Sequence, residues 1–173
     1  MTTQTTTEIT TSEQIVKQLI NSWESRNTAF TDFFNKYSDE RIYLNEVAPA
    51  RNRAIYLLGH LISTNDGMLP LFDLGERLFP EMKIFSTQAD HSFEITLSIS
   101  ELKKMWQTLN TTLSDHFNNM TINDWMAAHT AVSKEDFEKD PQRNKLNVLI
   151  GRTNHQSYHL GQLNLLTLKE LVT

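Results

Sequence analysis

The run of Ile15, Leu19, Ile20, Trp23, Phe30, Phe33, Phe34 and Tyr37 constrains this chain more than any other feature. Its members recur mostly at three- and four-residue intervals, so they line one face of a helix and demand an apolar partner for it. The spacing predicts a long amphipathic helix over about 13–37, opened by a capping box from Thr11 and Gln14. A second helix is expected from Pro49, a residue suited to a first helical turn, through Ala54, Leu57, Leu58, Leu61 and Ile62 toward Leu74. Pro70 should kink or end it. Ser98 and Glu101 form another capping box, opening a third helix over about 99–119 with the stripe Leu102, Met105, Trp106, Leu109, Leu113 and Phe117. Asp140-Pro141 reads as the start of a fourth, running to about 171 through Leu146, Leu149, Ile150, Leu160, Leu163 and Leu166. Residues 75–97 and 120–140 read as long connections, the first a crossover or a lid. The sum is an all-α fold, a four-helix bundle with a long crossover connection. Residues 1–11 are polar and read as a disordered tail, leaving 12–173 as a single domain large enough for one core.

Charge and cysteine usage narrow the function classes. A net charge of −5 with no basic run argues against nucleic acid or an anionic membrane surface as a partner. No apolar run approaches the roughly 20 residues that span a bilayer, and the Thr-rich start has neither the basic flank nor the apolar core of a signal peptide. The absence of cysteine excludes disulfides, thiolate ligands and a thiol nucleophile. A soluble, cytoplasmic protein is expected.

The chemistry concentrates in the stretch Gly151 to Gln162. His155 and His159 are four apart, so on a helix they present two imidazoles to one side, and Gln162 continues their stripe. Two histidines do not fill a coordination sphere. His60, on the second helix, is the candidate third ligand, although a lone histidine there is more often a packed, hydrogen-bonded core residue. Three protein nitrogens plus an open position is the arrangement of catalytic zinc, and neutral imidazole also suits nickel, iron and copper. His91 and His129 fall in the connections, and His116 lies near a helix end where a cation suits the dipole. Asp66, Glu76 and Tyr158 lie near the histidines along their helices, but none stands out as a general base.

The segment Leu58-Gly59-His60-Leu61-Ile62, together with Asn154-His155-Gln156-Ser157-Tyr158-His159-Leu160-Gly161-Gln162, resembles the DinB-like (YfiT-like) family of metalloenzymes, and the resemblance covers nearly the whole chain after residue 12. It implies an up-down-down-up four-helix bundle, often a homodimer. It also implies a divalent metal ion, nickel or zinc first and iron or manganese next, held by His60, His155 and His159. Gln162 matches the family's trailing glutamine, with a hydrogen-bonding role in support of the ligand helices. Related branches are thiol-dependent transferases and isomerases. The expected function is therefore metal-dependent activation of a thiol or water on a small-molecule substrate, with a low-molecular-weight thiol as the implied co-substrate. The competing expectation is a non-enzymatic bundle whose metal site is structural or sensory.

Overall fold

The computed structural model describes residues 10–166, which are helical with no strand among them. Helix α1 spans Thr11–Asn35, α2 Ala54–Asp66, α3 Met68–Leu71, α4 Ile84–Thr87, α5 Ile99–Asn119, α6 Ile122–Met126, α7 Lys134–Lys139 and α8 Lys145–Leu163. The expected tail over residues 1–9 and the expected helical end beyond residue 166 lie outside the described residues.

Helix α1 begins two residues before the expected start, and its capping box is Thr10 with Glu13 instead of Thr11 with Gln14. Thr10 Oγ1 accepts from Glu13 N at 3.3 Å, and the Glu13 carboxylate accepts from Thr10 N at 2.7 Å. A carboxylate at this position forms the stronger charge-assisted bond and complements the positive end of the helix dipole, which a neutral glutamine does not. Ser98 and Glu101 close the capping box of α5 as the spacing predicted.

Helices α2 and α8 start later than the proline positions implied, for a shared reason. Glu46 and Arg53 form an isolated antiparallel bridge, as do Ala128 and Asn144. Each bridge holds the residue before the helix in extended conformation, so α2 cannot begin before Ala54 nor α8 before Lys145. Pro49 sits in the loop that the first bridge closes, and Asp140 caps a local turn by accepting from Gln142 N at 3.1 Å. Asn144 then caps α8, accepting from Asn147 N at 2.9 Å. At its far end α8 stops at Leu163, short of the expected extension. The second helix breaks at Gly67, and Pro70 lies within the separate short α3.

Helix α1 packs mainly on α8 and α5, and α2 on α5, α8 and the segment 80–87. Trp23 meets Phe117 edge-on at 5.1 Å between centroids, and Phe117 meets Phe72 at 5.8 Å and Trp125 at 5.2 Å, all four fully or nearly fully buried. Such pairs add about 0.5–1.5 kcal/mol each beyond the area they bury. Trp106, free by periodicity to face either the core or a partner, is buried within the chain and donates to Thr31 Oγ1 at 3.2 Å. Ile15 and Ile150, both counted among the apolar positions of their helices, lie at the surface.

Helix α2 is enclosed on almost every side, from Ala54 to Gly59 and again over Leu61, Ile62, Ser63, Asn65 and Asp66. A helix that is apolar around most of its circumference needs cover on more than one face. The connection expected over 75–97 supplies that cover: a 3-10 turn at Pro80–Lys83 and α4 lie against α2.

Candidate metal centre

Helices α2 and α8 bring His60, His155 and His159 together. His155 Nε2 lies 3.2 Å from His60 Nε2 and 2.9 Å from His159 Nε2. The three rings stand edge-on to one another, at interplanar angles of 72°, 73° and 78°. Nitrogens on a tetrahedral metal at about 2.0–2.1 Å are separated by about 3.3 Å, so these spacings match the edges of such a site to within about half an ångström. Among the described residues, no fourth His, Asp or Glu joins the group.

The outer nitrogens decide which inner nitrogens carry lone pairs. Helix α4 is a single turn, so its carbonyls have few intrahelical partners. The Phe85 carbonyl is thereby free to accept from His60 Nδ1 at 2.9 Å. On α8, Gln162 Oε1 accepts from His159 Nδ1 at 2.7 Å, and Gln162 Nε2 donates to the Tyr158 hydroxyl at 3.2 Å. With both Nδ1 atoms donating, His60 and His159 each point an Nε2 lone pair at the same space. His155 Nδ1 is buried without a partner. Its Nε2 can donate a proton to one neighbour but not to both, so the metal-free cluster leaves lone pairs facing one another.

A proton is a poor remedy for that repulsion. Burial is the main cause that lowers the pKa of His60, and Arg152 adds to it against the opposing bond to Phe85. Burial likewise lowers His159, against its bond to Gln162. His155 is pushed down to about 4 by burial and then by its neighbours His159, His60 and Arg152. At neutral pH all three imidazoles are uncharged, which is the state a metal ligand requires.

Several residues that set this geometry were not singled out by the sequence. Gly59 is one: a Cβ there would lie 2.4 Å from Phe85 Cδ1, so only glycine lets the Phe85 segment close over α2. Tyr56 fastens the same segment by donating to the Gln88 carbonyl at 2.7 Å, and Ser63 donates to Ser86 Oγ at 2.9 Å. Gln156, fully buried, donates to Asn27 Oδ1 at 2.8 Å and so ties the rotation of α8 to α1. Its placement between two histidines was visible in sequence, but its partner 129 residues away was not.

The other candidates lie elsewhere or are engaged. His91 is an exposed loop residue near Glu46 and Asp90, at 3.4 and 3.6 Å. His116 is in the last turn of α5, and His129 follows α6, where burial and then Arg143 depress its pKa. Asp66 is fully buried and accepts from Leu78 N at 2.8 Å and Phe79 N at 3.2 Å, with Arg77 at 3.7 Å, so it is not a free base. Glu76 and Tyr158 are exposed. No described helix is long and apolar enough to cross a membrane. The chain matches no protein-family model and no curated protein, so the chemistry of this centre is argued from its own geometry.

Proposed function

We propose that His60, His155 and His159 bind one divalent metal ion, and that the chain is a metal-dependent enzyme acting on a small molecule. One observation carries this reading: three imidazoles converge, and two of them have their lone pairs directed inward by Phe85 and Gln162. Neutral imidazole admits nickel, zinc, iron and manganese, in the order the DinB-like resemblance favours. The bound ion would supply Lewis-acid activation of a thiol or water for attack on an electrophilic substrate. The protein's part would be to hold the imidazoles neutral and oriented, with no further His, Asp or Glu among the described residues to fill the remaining coordination position.

Among the described residues no fourth His, Asp or Glu joins the three histidines, and this supports the enzymatic reading over a structural or sensory site, which usually closes all four positions with protein. The DinB-like four-helix bundle is part of the same proposal. Four helices of 25, 13, 21 and 19 residues support it, as do the packing of α1 on α8 and α5 and of α2 on α5. The homodimer implied by that family is tested by light scattering, which should return twice the 20.0 kDa chain mass. The metal reading is tested by stoichiometry. Protein purified without a metal-binding tag should carry about one divalent ion per chain, and His159→Ala should retain far less of it through purification. A metal-free wild type that also gains no thermal stability from added zinc or nickel would make the three histidines structural.

A further inference from the structure

Helix α8 carries a fourth polar side chain on the face that bears its histidines. Arg152 lies three residues before His155 and seven before His159, which places it on the same helical face. It is half-buried, its Nε is shut off from solvent without a hydrogen-bond partner, and it pairs with no carboxylate among the described residues. Burial of this guanidinium lowers its pKa, and the next cause is a second cation, Arg77. Arg152 is in turn among the charges that depress His60 and His155.

This is an unusual accumulation of positive charge in a partly dehydrated place. Three neutral imidazoles compensate neither charge of a divalent ion, and Arg152 adds another. Asp66, an acid near Arg77, is already committed to the backbone of Leu78 and Phe79 and to Arg77 itself. A buried cation without a counter-charge is costly to retain unless an anion joins it. The two terminal nitrogens of the guanidinium form a planar fork that matches the two oxygens of a carboxylate.

We propose that Arg152 anchors a carboxylate on the small molecule that occupies the open position at the three histidines, an inference that rests on the metal reading above. The substrate or co-substrate class is therefore an anionic one: a carboxylate-bearing ligand with a metal-seeking group a short distance away. Arg152 is a specificity-determining residue for that ligand.

The test uses the full chain loaded with Co2+, whose visible absorption reports both ion uptake and ligand entry. Mercaptoacetate and 2-mercaptoethanol are titrated in parallel, since both offer a thiol to the ion and only the first carries a carboxylate. Wild type should prefer mercaptoacetate by on the order of tenfold or more, the usual strength of a charge-assisted pair. Arg152→Gln should lose that preference, and Arg152→Lys, which keeps the charge but not the fork, should retain part of it. Should Arg152→Gln fail to fold, the Arg152→Lys variant decides alone, by a lowered preference or an unchanged one. Cobalt uptake with equal affinity for the two thiols, or a preference unchanged in the variants, overturns the role of Arg152 and leaves the metal reading standing. No cobalt uptake by wild type overturns both.

Discussion

Helices α2 and α8 deliver histidines to one point from opposite surroundings. Helix α2 is buried on nearly every side, while α8 buries Leu149, Gln156, His159 and Leu163 and exposes Gly151, Asn154, Ser157, Tyr158 and Gly161. The pair on α8 is set mainly by local spacing, one turn apart on one face. His60 is set by tertiary contacts: a glycine that admits Phe85, the carbonyl that Phe85 brings, and the Tyr56 ring stacked 6.1 Å away. One half of the site is thus built by helix geometry and the other by packing. The same kind of substitution should therefore act differently on the two.

The largest contrast is at the glycines. Gly59→Ala on α2 forces a methyl into the Phe85 ring, and overpacking of this kind costs about 1–3 kcal/mol. Denaturant titration should show that loss, accompanied by weaker metal binding as the Phe85 carbonyl moves off His60. Unchanged stability would mean that the cover over α2 is loose. Next comes the support on α8. Gln162→Leu removes the acceptor for His159 Nδ1, and losing such a partner typically weakens metal affinity by about 10–100-fold. Competition against a chromophoric chelator measures this, and an affinity equal to wild type would show that the α8 half needs no orientation beyond the helix.

Acid gives a third test. His155 falls from an ordinary value of 6.5 to about 4 in the fold, so as pH drops the unfolded chain takes up its proton first. Its contribution to stability is fully present above about 6.5 and is lost as pH falls toward about 4. Denaturant midpoints of metal-free protein should decline across that window, and less so in His155→Gln. Equal slopes would remove His155 as a cause. The smallest effect runs the other way. A Cβ at Gly151 or Gly161 meets nothing within 4 Å, so Gly161→Ala on α8 should stabilise the helix by roughly 0.5–1 kcal/mol. A melting temperature below wild type would show that α8 is more confined than its exposure implies.

What could be read in advance follows the same division. The stripes of α1 and α5, the Ser98 capping box and the spacing of His155, His159 and Gln162 depend on residues within a few positions of each other, and they were legible. The late starts of α2 and α8 depend on bridges formed by Glu46 and Ala128 with residues beyond the loops that follow them, and proline signals pointed too early. His60 is legible as a candidate, but the carbonyl that orients it belongs to Phe85, 25 residues on, within what reads as an irregular connection. Arg152 lies within the stretch from Gly151 to Gln162 but carries no signal of its own there, because an arginine on a helix reads as solvated until its Nε is seen buried.

The most direct test is X-ray absorption at the zinc edge of zinc-loaded protein. Three imidazoles at about 2.0–2.1 Å and one oxygen from outside the chain are the predicted shell, falling to two imidazoles in His155→Ala. An imidazole count unchanged by His155→Ala, or a shell without imidazole, would contradict a metal centre built by α2 and α8.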